Sequence, residues 1–105
     1  MNKFTLSDLE AIVAERSAAS ADKSYTAQML NKGALKCAEK FGEEAVELVV
    51  AAAAQEPEDV ANEAADVLYH LVVLLQARGI PLETVMDILD HRTNQSGLAE
   101  KAARR

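Results

Sequence analysis

Glu44 and Glu47 stand three residues apart, and so do Glu63 and Asp66. On a helix, side chains at that spacing are surface neighbours, so each pair can offer two carboxylates to one spot. The strings around them repeat: Glu44-Ala45-Val46-Glu47-Leu48 is echoed by Glu63-Ala64-Ala65-Asp66-Val67. Converging carboxylates repel one another unless a cation sits among them. An all-oxygen donor set, without thiolates or an imidazole pair, points to Mg2+, with Mn2+ as the alternative. Mg2+ keeps several waters and takes substrate phosphates as further ligands. Lys32, Lys36 and Lys40 lie just upstream and suit such phosphates. Metal and lysine beside a polyphosphate is the usual arrangement for phosphoryl or nucleotidyl transfer.

A lone Glu-x-x-Glu is most often a solvated helix face, so the repeat of the motif carries the argument. On a helical wheel, Cys37, Ala38, Phe41, Ala45, Leu48, Val49 and Ala52 form one apolar face. Glu43, Glu44 and Glu47 lie beside it, with Glu44 at its border. In the next long segment the apolar face is Val60, Ala64, Val67, Leu68, Leu71, Leu74 and Leu75. Asp59, Glu63, Asp66 and His70 flank it, and Glu63 takes the border position. A di-iron site of the ferritin type would need Glu-x-x-His pairs. Neither His70 nor His91 follows an acid at that spacing. His70 reads as a hydrogen-bonding residue at the core edge, and Tyr69 as packing.

Helices must position these acids. The spacing predicts a helix from Thr5 to about Ala18, with Ser7 and Glu10 spaced as a capping box. A small, polar loop follows, then a short helix over Tyr25–Lys32 that stops at Gly33. A long helix runs from Ala34 to about Gln55. Pro57 suits the first turn of the next one, which continues to about Arg78 and stops at Gly79. Pro81 opens a last helix to about Arg92. The tail from Thr93 to Arg105 is polar, with partial mobility expected. No segment alternates like a strand. The turn around Pro57 is short, so the two long helices pack antiparallel and turn both acidic edges toward one site.

The bulk numbers agree with one small domain spanning residues 1–105. A net charge of −6 argues against a nucleic-acid binder. Cys37 is the only cysteine, which rules out a disulfide framework and reads as a small buried residue. Asp8 and Glu10 interrupt any apolar export signal, and no run is long enough to span a membrane, so a cytoplasmic protein is expected. Two long helices with wide apolar faces, and Val46, Val50 and Val72 outside the main stripes, exceed what one short bundle covers. The expected architecture is an all-α antiparallel bundle completed by dimerisation, as a homodimer or a dimer of dimers.

With the acidic pairs in place, the chain resembles the all-α nucleotide pyrophosphatases of the MazG-like group. Their signature is E-x-x-E followed by E-x-x-D. It resembles the phosphoribosyl-ATP pyrophosphatases more closely still. The strings that carry the likeness are Ser24-Tyr25-Thr26 with Gly33 downstream, Lys36-x-x-x-Lys40-x-Gly42-Glu43-Glu44-Ala45-x-Glu47, and Glu63-x-Ala65-Asp66-Val67-Leu68-Tyr69-His70-Leu71. The likeness spans about Leu6 to Arg92. The stretch Ser96–Lys101 resembles only some branches. The resemblance implies an all-α homodimer with sites near the subunit interface, in a stand-alone form without a fused cyclohydrolase. It implies hydrolysis of phosphoribosyl-ATP to phosphoribosyl-AMP and pyrophosphate, the second step of histidine synthesis. Glu44, Glu47, Glu63 and Asp66 would then hold Mg2+, and Glu43 would orient the attacking water. Tyr25, Lys32, Lys36, Lys40 and Arg92 would contact the nucleotide.

Two other readings use the same residues. A pyrophosphatase for damaged or non-standard free nucleotides would keep the four acids and discriminate the base. A helical dimerisation module would leave the acidic edge merely solvated, with no response to metal.

Overall fold

The computed structural model describes residues 3–94 together with 101, 103 and 104. Over residues 3–94, five helices succeed one another: α1 (Leu6–Ser17), α2 (Tyr25–Asn31), α3 (Ala34–Ala54), α4 (Pro57–Ala77) and α5 (Leu82–Thr93). Among the described residues there is no strand, so the fold is all-α. Among the described residues, no helix is long and apolar enough to cross a membrane. Ser96–Glu100 and most of the tail expected to be mobile lie outside the described residues.

The punctuation acts where the sequence places it. Gly33 joins α2 directly to α3 with φ +95°, a conformation that costs any residue with a Cβ. Gly79 takes φ +66° just past α4. Its N–H donates to the Gln76 carbonyl at 3.1 Å, and the Ile80 N–H donates to the Leu75 carbonyl at 2.9 Å. That pair of bonds is a Schellman closure, which satisfies the helix's last carbonyls.

The start of α1 differs from the expected capping box at Ser7 and Glu10. Thr5 is the N-cap, and it forms the box with Asp8: Asp8 N–H donates to Thr5 Oγ1 at 3.1 Å, and Thr5 N–H donates to Asp8 Oδ2 at 2.8 Å. Two overlapping Ser/Thr-x-x-acid spacings occur here, and the upstream one forms the box. Glu10 is thereby released for a distant bond, accepting from the Leu82 N–H at 2.6 Å and fastening the start of α5 to α1. Thr5→Ala is expected to cost about 1 kcal/mol in urea unfolding, whereas Ser7→Ala changes stability by less than about 0.5 kcal/mol.

α3 and α4 form the central hairpin, joined through Gln55 and Glu56 alone. Cys37, early in α3, packs in one cluster with Val72 and Val73, late in α4, which fixes the pair as antiparallel. Val13 of α1 and Met29 of α2 complete that cluster. α1 and α2 therefore cover one end of the hairpin. This explains why Val72, expected outside the main stripe, is buried: it faces α1 and α2. Leu68, expected on the apolar face, is 43% exposed. Cys37 is buried as expected; its thiol donates to the Met29 carbonyl, and burial pushes its pKa up.

Candidate active site

The inner face of α3 runs through Cys37, Glu44, Leu48 and Ala51, all buried or half-buried. The matching face of α4 runs through Val60, Glu63, Val67 and His70. Glu44 and Glu63 thus stand in the helix–helix interface itself, further in than the border positions expected of them. Val49, Ala38 and Ala52, expected on the same buried face of α3, point away and are exposed. The helix carries two apolar faces, and the wheel averages them.

The antiparallel pairing brings the acids together. One carboxylate oxygen each of Glu44, Glu63 and Asp66 lies within 4.8 Å of the others, a spacing able to hold a metal ion. Glu47 adjoins this trio and interacts with both glutamates. Glu44 Oε2 and Glu63 Oε2 are buried and receive no hydrogen bond. An ionised carboxylate oxygen out of water with no donor is costly. A cation among these oxygens removes that cost, so the donor set fits a hard divalent ion.

The protonation behaviour follows from the crowding. The Glu44 carboxyl is pushed up to about 7. The first cause is the hydrogen bond it makes with Glu47 when one of the two holds a proton. Burial and the charges of Glu47 and Asp66 add to it, and Lys40 opposes it. Glu63 is raised as well, first by burial and then by Glu47, Asp66 and Asp59.

Around the cluster, the candidate phosphate ligands are arranged unevenly. Lys40 Nζ pairs with Glu43 at 3.2 Å, which raises the lysine's pKa, and Lys36 Nζ pairs with Glu39 at 3.2 Å. Both are i,i+3 pairs along α3, with Lys40 also within electrostatic reach of Glu44, and solvent-accessible pairs of this kind are easily exchanged. Lys32 caps the C-terminus of α2 and is exposed. Arg92 is not brought to the acids' hairpin; it lies on α5 in a separate cleft with Asp87, Ile88, His91 and Arg104.

Tyr25 is brought to the site by a contact that spacing does not reveal. Its hydroxyl is 3.3 Å from His70 Nε2, while His70 Nδ1 donates to the Asp66 carbonyl at 2.8 Å. The carbonyl can only accept, so neutral His70 carries its proton on Nδ1, and Nε2 accepts from the tyrosine. His70 is 6% exposed and fully bonded, the hydrogen-bonding role read from its position. Tyr69 lies against Tyr25, ring centroids 6.3 Å apart and planes at 25°, and its hydroxyl bonds to Thr26 Oγ1. Ser24-Tyr25-Thr26 is thus tied to Tyr69-His70, the two short strings that the sequence sets far apart.

Comparison with known proteins agrees with this geometry. The family model described as phosphoribosyl-ATP pyrophosphohydrolase matches residues 6–93. The chain is 57% identical to a phosphoribosyl-ATP pyrophosphatase of Agrobacterium fabrum, over 99% of this chain and 97% of that protein. It is also 57% identical to the protein of that name in Methylobacterium nodulans, covering 100% and 98%. Identity to the one in Allorhizobium ampelinum is 55%, covering 99% and 100%. The matched segment contains both acidic pairs and every helix that positions them. The chain belongs to the phosphoribosyl-ATP pyrophosphohydrolase family.

Proposed function

We propose that this chain hydrolyses phosphoribosyl-ATP to phosphoribosyl-AMP and pyrophosphate, the second step of histidine biosynthesis, in a Mg2+-dependent manner. The observation that carries the reading is the pair of buried, undonated oxygens on Glu44 and Glu63, in a trio with Asp66 that Glu47 adjoins. A solvated acidic face has no reason to aim two such oxygens inward. Glu44, Glu47, Glu63 and Asp66 would hold Mg2+, or Mn2+ in its place. When bound, the cation offsets polyphosphate charge and makes water a stronger nucleophile near neutral pH.

The remaining work falls to the chain's own groups. Lys36 and Lys40 exchange their glutamate partners for phosphate oxygens, and Lys32 approaches from the end of α2. Glu43, freed from Lys40, orients the water that adds across the anhydride between the α and β phosphates. Tyr25, fixed through His70 to the backbone of Asp66, holds the nucleotide beside the acids. Arg92 would join the phosphate contacts only from a second subunit or after α5 moves. A cytoplasmic setting suits such a substrate.

The decisive assay is pyrophosphate release from phosphoribosyl-ATP with Mg2+. Release from ordinary or modified nucleoside triphosphates, with none from phosphoribosyl-ATP, would replace the reading with a scavenging pyrophosphatase. A melting temperature that ignores Mg2+, with no turnover, would favour a helical interaction module.

We also infer a homodimer or a pair of dimers. Leu35, Val46, Val49 and Val50 on α3, and Met86, Ile88 and Leu89 on α5, are exposed. Large apolar areas of this kind mark association surfaces. Light scattering at micromolar concentration is expected to give the mass of two or four chains; a stable monomer would overturn the inference.

A further inference from the structure

A cavity beside the site is lined by Arg16, Lys23, Ser24, Tyr25, Thr26 and Tyr69. Its hydroxyls are already engaged. Ser24 Oγ accepts from the Ala27 N–H at 3.1 Å, and Thr26 Oγ1 is bonded to Tyr69 OH. Its two cations are not engaged: among the described residues, neither Arg16 nor Lys23 has a carboxylate partner. Lys36 and Lys40, on α3, each have one. Both Arg16 and Lys23 are exposed and open to a ligand.

The cavity connects to the acids through a single imidazole, by way of Tyr25 OH, His70 and the Asp66 carbonyl. The protein thus presents, in succession, carboxylates for a metal and polyphosphate, two tyrosine rings, and two unpaired cations. Phosphoribosyl-ATP carries groups in the same order: a triphosphate, a purine, and the phosphate of the added ribose. We propose that Arg16 and Lys23 bind that distal phosphate, with Tyr25 turning its half-exposed ring toward the purine. The proposal rests on the reading of the chain as a phosphoribosyl-ATP hydrolase. Arg16 supplies the planar fork that matches phosphate oxygens, and Lys23 adds a point charge. ATP lacks the second phosphate, so these two residues discriminate the substrate from ATP. Arg16 also stands in the last turn of α1, where a cation complements the helix dipole. That role alone affects stability and leaves substrate choice untouched.

The test compares the full-length wild type with the Arg16→Gln/Lys23→Gln double variant in the presence of Mg2+. KM for phosphoribosyl-ATP is expected to rise about 10–100-fold, with kcat falling far less, since hydrogen bonds to charged groups are individually strong. Calorimetry is expected to show wild type binding phosphoribosyl-AMP more tightly than AMP, and the double variant losing that preference. The charge-keeping pair Arg16→Lys/Lys23→Arg is expected to recover most of it. An unchanged KM, or an unchanged preference for phosphoribosyl-AMP, would overturn the assignment. A wild type that releases no pyrophosphate from phosphoribosyl-ATP would refute the broader reading instead. In that event, NMR titration with ribose 5-phosphate still decides the pocket. Amide shifts confined to residues 16–26, and lost in the double variant, support it; their absence in wild type overturns it.

Discussion

Glu44→Gln and Glu63→Gln are each expected to lower pyrophosphate release by more than about 100-fold while leaving the fold intact. Loss of a group that merely supports a metal ligand already costs about 10–100-fold, so loss of a charged ligand oxygen exceeds that. Glutamine nearly matches glutamate in shape, so the α3–α4 interface keeps its packing. The amide also brings N–H donors into a cluster where Glu44 Oε2 and Glu63 Oε2 have none. Without metal, each variant is therefore expected to melt at or above the wild-type temperature. Functional sites commonly give up stability for their charge arrangement, and this pair of measurements reads that trade directly. Glu39→Gln is the control: it removes an exposed partner of Lys36, and its stability change stays within about 0.5 kcal/mol. Near wild-type turnover in both site variants would overturn the assignment of Glu44 and Glu63 as metal ligands.

Removing the metal is expected to have an effect of similar size, with a pH dependence whose sign is fixed. Excess chelator abolishes turnover, and Mg2+ or Mn2+ restores it; Ca2+, larger and less strictly octahedral, restores little. Mg2+ at about 100 times its Kd stabilises the folded state by about 2.7 kcal/mol, roughly 10 °C or more in melting temperature for a domain of about 100 residues. The folded Glu44 carboxyl titrates at about 7, above its ordinary value of 4.5. Between those two values the folded state holds more protons than the unfolded one, so metal-free stability falls as pH rises through this window and levels off above it. The proton and the cation compete for the same oxygens. The Mg2+-induced rise in melting temperature is thus small near pH 5.5 and full near pH 8, and Glu44→Gln flattens the metal-free profile. A metal-induced shift independent of pH, or full turnover in chelator, would contradict this account.

Much of this site is legible in the residues alone, because it is built from local signals. Gly33, Pro57 and Gly79 delimit the two long helices, and the paired acid spacings then converge by the geometry of one short turn. His70 is legible as a bonding residue because no second imidazole or matching acid accompanies it. Other features are hidden for physical reasons. The Thr5–Asp8 and Ser7–Glu10 spacings both satisfy the capping pattern, and spacing alone does not show that Glu10 instead accepts from the distant Leu82 N–H. Glu44 reads as a border residue because α3 has an inward and an outward apolar face, whose average a wheel reports; Glu63 reads so because Leu68, counted on the apolar face of α4, is exposed. Val72 reads as peripheral because its partners, Val13 and Met29, lie on helices distant in the chain. The Tyr25–His70 and Thr26–Tyr69 bonds leave no trace in spacing, since they join strings more than forty residues apart. The position of Arg92 depends on how α5 leaves the bundle, which local pattern does not set.

All four acids sit on one hairpin whose helices are joined by Gln55 and Glu56 alone. Bringing them together therefore requires little loop closure, and contacts of this local kind form early in folding. The charge that serves the site is consequently felt during folding as well as after it. Local contacts of this kind are expected to bring Glu44 and Glu47 to Glu63 and Asp66 without help from α1 and α2. A proton or cation among these carboxylates offsets their mutual repulsion, so closing the hairpin is expected to be easier at low pH or with a divalent cation present.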